Sequence, residues 1–225
     1  MTRIKVIIPN AGMDRATLDD RERMLSAAVC PETRISVDCI GQGPESVESA
    51  IDEILVAPEV LGLTVEAEQN GFEGVVIYCF SDPGLAAARQ AVNIPVIGPG
   101  QTAMAVAGLL GHKVSVLTSL KQGLSRVRVK LQGSGFDMTR LTSVRSLDIP
   151  VTDLREDAGQ TIARVNEVIG LAVEKDGAEV VVLGCLGLAG YGQEAERRFN
   201  VPVIDPAFLS VATAEMFVRL NIRHR

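Results

Sequence analysis

The sequence predicts an α/β protein built as two pseudo-symmetric lobes, each a four-stranded parallel sheet flanked by helices. Short runs rich in Val and Ile alternate with longer amphipathic stretches, which is typical of β–α units around parallel sheets. The same order of elements occurs twice along the chain. A length of 225 residues is enough for two lobes of about 110 residues, each with a core of its own.

The predicted strands are short apolar runs dominated by β-branched residues. In chain order they lie at 4–8, 35–40, 74–78 and 96–97 in the first half, and at 114–117, 141–144, 180–183 and 203–204 in the second. The stretches between strands include 47–55 and 162–174, where apolar residues recur at helical spacing. Strands separated by helices predict parallel pairing within each half.

An internal repeat supports the two lobes. Residues 71–79 resemble residues 177–185, because both segments have Gly first, Glu third and Cys last around a run of Val and Ile or Leu. A proline follows each cysteine at nearly the same distance, 16 residues in the first case and 17 in the second. Residues 113–119 likewise correspond to residues 4–10.

The predicted lobe boundary lies near Gly98-Pro99-Gly100, after the fourth strand. The first lobe is expected to span residues 1–98 and the second residues 99–205. The final helix, 206–225, is expected to return to the first lobe.

Composition and charge exclude several classes of protein. With 47% hydrophobic and 22% charged residues, the chain is typical of a globular protein and not of a disordered one. A net charge of −6 and 4% aromatic residues argue against a nucleic-acid partner, and the basic residues of 121–130 are interpreted as a solvated helix face. The N-terminus has no signal-peptide pattern, and the longest apolar run, 180–190, is about half of a bilayer span. We expect a cytoplasmic protein with no membrane partner.

Four cysteines carry most of the potential chemistry: Cys30, Cys39, Cys79 and Cys185. A reducing compartment favours thiols over disulfides. The chain has no C-x-x-C pair, and of its two histidines His112 precedes a strand and His224 lies in the terminal tail. The sequence therefore predicts no metal site.

Cys79 and Cys185 occupy corresponding positions, each just past the carboxyl end of an apolar strand. Ligands bind at this edge of open parallel sheets. After Cys79, Asp82 is expected to cap a helix and Pro83 to fill its first position, so that helical N–H groups point back toward the thiol. After Cys185, glycines such as Gly187 allow the backbone to pass close to a bound molecule.

A single cysteine at a strand end is usually a small core residue, and we interpret Cys30 and Cys39 in this way. The symmetric pair of Cys79 and Cys185 favours a chemical role instead. One thiolate can remove a proton from carbon while a thiol on the opposite side returns a proton, which inverts a stereocentre without a cofactor.

These residues resemble the Asp/Glu racemase superfamily and, within it, the hydantoin/allantoin racemase branch. The matching segments are 79–85 (CFSDPGL), 183–190 (LGCLGLAG) and 43–49 (GPESVES), and the resemblance extends from about residue 3 to about residue 220. It implies an active site in the cleft between the lobes, no cofactor, Cys79 and Cys185 as the acid/base pair, and a homo-oligomer.

The resemblance and the strand ends also suggest residues that bind a small-molecule substrate. They are Asn10, Ser46, Phe80, Ser81, Thr118, Ser119, Leu186 and Gly187. Ser46 is equally compatible with a helix N-cap. Ala11 and Leu186 depart from the family pattern, in which a hydroxyl and a smaller residue are common at these positions, so they bear on substrate identity.

The leading hypothesis is a racemase acting on a cyclic ureide or amide, because the apolar neighbours Phe80 and Leu186 suit a neutral ring better than an unpaired charge. An alternative on the same fold is an amino-acid racemase of the Asp/Glu type or an enzyme similar to maleate isomerase. A decarboxylase of the arylmalonate type is less favoured because it manages with one catalytic cysteine. A small-molecule binding protein would not need two thiols.

Overall fold

The computed structural model describes residues 1–224. The chain divides into two compact units. The first comprises residues 1–99 together with the chain from residue 207 onward, and the second comprises residues 100–206. Each unit contains one four-stranded sheet.

Strands and helices alternate through the described residues. The strands are β1 (Arg3–Ile8), β2 (Arg34–Cys39), β3 (Gly74–Ile77), β4 (Val96–Ile97), β5 (Val114–Thr118), β6 (Leu141–Ser146), β7 (Val180–Leu183) and β8 (Val203–Ile204). The α-helices are α1 (Arg15–Ser26), α2 (Ala50–Gln69), α3 (Leu85–Ala91), α4 (Pro99–Leu110), α5 (Gly123–Gly133), α6 (Ala158–Glu174), α7 (Gln193–Phe199) and α8 (Pro206–Arg219). Single 3₁₀ turns lie at Met138–Arg140, Asp153–Arg155 and Leu186–Leu188.

The first sheet has the strand order β2-β1-β3-β4, and all its neighbours are parallel. All four residues of β3 are buried, as expected for a central strand covered on both faces. Ile7 and Ile77 of adjacent strands share one core cluster with Val56 and Val60 of α2. The apolar stripe of the helix thus covers the apolar face of the sheet.

The second sheet repeats this topology, with the order β6-β5-β7-β8 and parallel pairing throughout. Its core cluster joins Leu117 and Leu183 of the central strands to Val165 and Ile169 of α6. Leu154, from the connection between β6 and α6, is fully buried in the same cluster. The predicted fold class, two four-stranded parallel sheets flanked by helices, is confirmed.

The helix predicted at 47–55 begins later and is longer, because α2 runs from Ala50 to Gln69 and contains Pro58. Its N-cap is Ser49, not Ser46. The Ser49 hydroxyl accepts from the Asp52 N–H at 3.1 Å, and the Asp52 carboxylate accepts from the Ser49 N–H at 2.7 Å. This reciprocal capping box satisfies N–H groups at the helix start, so the interpretation of Ser46 as a cap is wrong.

The helix start predicted after Cys79 is also wrong. Asp82 adopts a φ of 51°, and its carbonyl accepts from the Leu85 N–H at 3.2 Å in a tight turn. The helix α3 therefore begins at Leu85, with Gly84 as its N-cap at a φ of 72° and without a side-chain cap. This helix has seven residues and begins six positions after Cys79. The helical N–H groups predicted to follow Asp82 directly are therefore not found there.

Within residues 1–224, no helix combines the length and the hydropathy needed to cross a bilayer. Among the same residues, no three His, Cys, Asp or Glu side chains are grouped closely enough to hold a metal ion.

Candidate active site

Cys79 lies two residues beyond the last residue of β3 and is half-buried. Two short backbone bonds shape the chain here. The Tyr78 N–H donates to the Ile7 carbonyl at 2.7 Å, and the Cys79 N–H donates to the Ile77 carbonyl at 2.7 Å. The Asp82 N–H then donates to the Cys79 carbonyl at 3.1 Å. Consecutive tight turns thus hold the thiol at the carboxyl edge of the first sheet.

Ser81 is the polar neighbour of this thiol. Its Oγ lies 3.2 Å from the Cys79 Sγ, within hydrogen-bonding distance, and both side chains are half-buried. Phe80, between them, is only 4% exposed, so its ring is covered by protein. The two polar side chains of this turn are thus in contact with each other and less buried than the aromatic ring between them.

Asn10 and Ser46 lie in loops of the same unit. Asn10 follows β1 by two residues, and β1 is the parallel neighbour of β3. The Ala11 N–H donates to the Pro44 carbonyl at 2.9 Å, which ties the loop of Asn10 to the loop of Ser46. Because parallel strands end at one edge of a sheet, both loops belong to the edge that carries Cys79.

Cys185 has the same place in the second sheet, two residues beyond the end of β7, and is half-buried. The preceding residue must be glycine. The Gly184 N–H donates to the Leu117 carbonyl at 2.6 Å, and a Cβ at position 184 would lie 2.5 Å from that same oxygen. The Leu188 N–H donates to the Cys185 carbonyl at 3.1 Å, so Cys185 opens the 3₁₀ turn Leu186–Leu188.

Thr118 and Ser119 end the neighbouring strand β5 and are 3% and 6% exposed. Their carbonyls accept from the Leu147 N–H at 2.9 Å and the Ile149 N–H at 3.1 Å. The Thr118 hydroxyl faces Gly123 at the start of α5, where a Cβ would lie 2.1 Å from its Oγ1. These two residues therefore secure the loop that follows β6.

Leu186 and Gly187 follow Cys185 directly. Leu186 is 4% exposed, whereas Gly187 is half-buried. A Cβ on Gly187 would lie 2.8 Å from the Leu154 Cδ1 and 3.5 Å from the Cys185 Sγ. A side chain at position 187 would therefore displace the Leu154 side chain beside the thiol.

The predicted site residues therefore form two sets. Asn10, Ser46, Phe80 and Ser81 accompany Cys79 in the first unit, and Thr118, Ser119, Leu186 and Gly187 accompany Cys185 in the second. Both thiols follow the strand that lies between the first strand and the short edge strand of its sheet. The two sheets thus present a cysteine at equivalent positions.

Two residues that hold the chain after Cys185 are not identified by the sequence. Arg155 donates from Nε to the Gly187 carbonyl at 3.1 Å and from Nη2 to the Ala189 carbonyl at 2.7 Å. The Asp205 carboxylate accepts from the Gly190 N–H at 2.7 Å. Neither residue lies near Cys185 in sequence, and no motif marks Arg155. For Asp205, the one sequence signal is the Asp-Pro step at 205–206. This step indicates a boundary between lobes and does not indicate a contact with the chain after Cys185.

The two remaining cysteines contact other groups of the first unit. The Cys39 Sγ lies 3.9 Å from the Met13 carbonyl, and the Cys30 Sγ lies 3.4 Å from Arg219 Nη1. Cys39 is the last residue of the strand β2, and Cys30 lies in the connection between α1 and β2.

The sequence model of the Asp/Glu/Hydantoin racemase family matches residues 4–214. The chain therefore belongs to this family, and the family resemblance inferred from the two cysteine motifs is confirmed.

Individual relatives agree with this assignment. A hydantoin racemase from Pseudomonas sp. (strain NS671) is 33% identical over 219 residues, which cover 97% of this chain and 87% of that protein. The structure of allantoin racemase from Klebsiella pneumoniae is similar with a TM-score of 0.92 and 34% identity, covering 100% of this chain and 91% of that one. Allantoin racemase from Pseudomonas fluorescens gives a TM-score of 0.91 and 29% identity, covering 100% and 94%. The prediction of an isomerase of the racemase class is confirmed, which favours an enzyme over a binding protein.

Proposed function

We propose that this protein is a cofactor-independent racemase that inverts the stereocentre of a cyclic ureide or amide of the hydantoin or allantoin type. Cys79 and Cys185 act as its thiolate/thiol pair. The observation that carries the proposal is the equivalence of the two cysteines, each two residues beyond the same strand of sheets with the same topology. The names of the relatives support the substrate class.

The reaction consists of two proton transfers at one carbon. A thiolate takes the hydrogen of the stereocentre as a proton, so that the C–H bond breaks and an S–H bond forms. The electron pair left on carbon is delocalised into the adjacent ring carbonyl as an enolate. The other thiol then gives its proton to the opposite face of the carbon, which forms the new C–H bond and leaves a thiolate. Proton count and charge balance, and the two cysteines exchange roles.

This chemistry requires one cysteine to be ionised near neutral pH, although a free thiol titrates near about 8.5. Hydrogen bonds to the charged form favour ionisation. Ser81, with its hydroxyl 3.2 Å from the Cys79 sulfur, can donate such a bond to the thiolate. Ser81 is therefore the residue proposed to support Cys79 as a base.

The other predicted site residues are proposed to recognise the ring. Asn10 and Ser46 supply an amide and a hydroxyl at the edge that carries Cys79. Thr118 and Ser119 occupy the corresponding edge of the second sheet. Phe80 and Leu186 belong to apolar surroundings of the two thiols, which suit a neutral ring because an unpaired charge there is costly.

The alternative, an amino-acid racemase of the Asp/Glu type or an enzyme similar to maleate isomerase, needs a cation to hold a carboxylate. Arg89 is the nearest arginine after Cys79. Its Nε donates to the Val96 carbonyl at 3.0 Å, and burial is the main cause that lowers the pKa of its guanidinium. Because Arg89 is engaged with the backbone of β4, the cyclic neutral substrate is the better supported of the two.

The proposal is tested with single enantiomers of several 5-substituted hydantoins and of allantoin in D₂O, with free amino acids and maleate as further compounds. We expect optical rotation to fall while one deuterium enters the stereocentre of the cyclic compounds. A sample without enzyme measures the uncatalysed exchange. Activity confined to an acidic amino acid or maleate supports the alternative, and activity on none of these compounds overturns both.

Variants then test the roles of the thiols. Cys79→Ala or Cys185→Ala should lower kcat by about 1,000-fold, within the range for removal of a general acid or base. Each variant should still exchange hydrogen in only one of the two enantiomers. This is the enantiomer whose hydrogen at the stereocentre faces the remaining cysteine. Cys30→Ala and Cys39→Ala are the matched controls and should keep full activity. Full racemisation by Cys79→Ala or by Cys185→Ala contradicts the two-cysteine mechanism.

A homo-oligomeric state, a cytoplasmic location and the absence of a nucleic-acid partner stay predictions.

A further inference from the structure

The Cys185 loop (residues 185–190) is held by a side chain far away in sequence. Arg155, in the 3₁₀ turn Asp153–Arg155, donates from Nε to the Gly187 carbonyl at 3.1 Å and from Nη2 to the Ala189 carbonyl at 2.7 Å. One guanidinium group thus bridges two carbonyls, two and four residues after the thiol-bearing residue.

The same turn packs on the loop through apolar contacts. Leu154 is fully buried, and its Cδ1 would lie 2.8 Å from a Cβ on Gly187. The Arg155 Cζ lies 4.8 Å from the centre of the Tyr191 ring, in a cation–π contact. The turn 153–155 therefore contacts the loop beside Gly187 and also contacts Tyr191, the residue that follows the loop.

The hydrogen bonds inside the loop are local. The Leu188 N–H donates to the Cys185 carbonyl at 3.1 Å, and the Ala189 N–H donates to the Leu186 carbonyl at 3.2 Å. These bonds define the curvature of the loop but do not attach it to the rest of the unit. Two side chains supply attachments. The Asp205 carboxylate accepts from the Gly190 N–H at the end of the loop, and Arg155 binds nearer the thiol through its planar fork, which a lysine ammonium does not reproduce.

We propose that Arg155 is the positioning residue for Cys185: by bridging the carbonyls of Gly187 and Ala189, it holds the Cys185 thiol in the place from which it exchanges a proton with the substrate. This inference rests on the proposed role of Cys185. Arg155 acts through the loop backbone and not on the reacting atoms.

The test compares Arg155→Met, Arg155→Lys and Arg140→Met in the full chain. Arg140 is the matched control, because it also donates to two backbone carbonyls of the second unit, those of Gly108 (2.7 Å) and Gly111. We expect Arg155→Met to lower kcat by about 100-fold with KM unchanged, as for a small misplacement of a reacting group. Arg155→Lys should fall between Arg155→Met and the wild type, and Arg140→Met should keep the wild-type kcat.

Hydrogen exchange separates positioning from general structural damage. In D₂O, Arg155→Met should resemble Cys185→Ala in direction. Exchange should be retained for the enantiomer whose hydrogen faces Cys79 and slowed about 100-fold for the other. Equal loss for both enantiomers, or no change in either, overturns the positioning role. If Cys185→Ala itself still racemises both enantiomers, the proposed function fails first, so the two failures are distinguishable.

Thiol labelling gives a readout that does not depend on activity. Iodoacetamide alkylation of each cysteine is followed by peptide mass spectrometry. In both Arg155 variants, the alkylation rate of Cys185 should change while that of Cys79 stays at the wild-type value. An unchanged rate at Cys185 overturns the proposal, and so does a similar change at both thiols.

Discussion

The Cys79 sulfur lies 3.2 Å from the Ser81 hydroxyl oxygen, across one residue of a tight turn. The backbone of this turn is held by the bond from the Asp82 N–H to the Cys79 carbonyl. A hydroxyl in this place can donate to a thiolate or accept from a thiol, so it can serve both protonation states of the cysteine.

Replacing Ser81 tests this contact. Ser81→Ala should lower kcat by about 10-fold, which corresponds to the loss of one hydrogen bond to a charged group. Because the bond favours the thiolate, its loss should raise the pKa of Cys79 and move its alkylation by iodoacetamide to higher pH. The measurement is the pH dependence of the alkylation rate of Cys79.

Ser81→Thr is the matched control, since it keeps the hydroxyl, and its alkylation profile should stay at that of the wild type. Identical profiles for Ser81→Ala and the wild type contradict a role of Ser81 in thiolate stabilisation.

The glycine before Cys185 is required by packing. A Cβ on Gly184 would lie 2.5 Å from the Leu117 carbonyl oxygen and 2.8 Å from the Val116 Cγ1. Gly184→Ala should therefore lower the free energy of unfolding by about 3 kcal/mol, because the central strand β5 cannot yield without strain. Urea denaturation followed by circular dichroism measures this change.

Gly62 is the matched control for this substitution. It lies inside the helix α2, is exposed, and a Cβ there meets no atom within 4 Å. Gly62→Ala should raise the free energy of unfolding by about 0.5–1 kcal/mol, because alanine restricts the unfolded chain and favours the helix. Similar effects of the two substitutions would be incompatible with this account.

Glu215 of α8 is 7% exposed and joins its helix to the connection between α1 and β2. Its carboxylate accepts from the Cys30 N–H at 3.0 Å and from the Thr33 hydroxyl. Glu215→Ala leaves both donors without this acceptor and should cost about 2 kcal/mol of the free energy of unfolding.

Denaturant midpoints check the prediction for Glu215. Glu215→Gln keeps one acceptor oxygen and should be less destabilising than Glu215→Ala. Glu32→Ala, at an exposed position of the same connection, should change the free energy of unfolding by less than about 0.5 kcal/mol. Equal midpoints for Glu215→Ala and Glu32→Ala would refute the proposed contribution.

Asp176 makes stability depend on pH. The Arg145 guanidinium donates to its carboxylate through two bonds of 2.6 and 2.8 Å, and this contact is the main reason that the pKa of Asp176 lies below its ordinary value. As the pH falls below about 4, the Asp176 carboxylate takes up a proton in the unfolded chain before it does so in the folded chain. The stabilisation is therefore present above that pH and is lost as the pH falls through the folded pKa.

Asp176→Asn should be less stable than the wild type at pH 7, and the difference should narrow below about pH 4. Urea denaturation at a series of pH values measures the free energy of unfolding of Asp176→Asn and of the wild type. Asp20→Asn is the control, because Asp20 pairs with Arg23 on the exposed surface of α1, where an ion pair contributes little. A constant difference between Asp176→Asn and the wild type at all pH values would disprove the linkage.

Local sequence was informative where a structural feature depends on neighbours in the chain. The runs of Val and Ile predicted β3 and β7, because central parallel strands are buried on both faces. The Gly-x-Glu pattern before each cysteine predicted that the two thiols follow equivalent strands. The helix start after Cys79 was mispredicted. Asp82 and Pro83 have the residue types of a helix N-cap and first helical position, but Asp82 adopts a φ of 51° in a tight turn, so the helix begins at Leu85 instead.

By itself, the sequence determined the two-sheet α/β architecture, the family and the placement of Cys79 and Cys185 at strand ends. These features follow from periodicity and from motifs that are continuous in the chain. Only the tertiary structure decided which distant groups form hydrogen bonds with each other. Arg155 donates to the Gly187 carbonyl 32 residues later, the Asp205 carboxylate accepts from the Gly190 N–H, and the Glu215 carboxylate accepts from the Cys30 N–H across 185 residues. The physical reason is that a hydrogen bond between distant segments depends on where the packed sheets and helices bring a donor and an acceptor together, and no local pattern records that meeting.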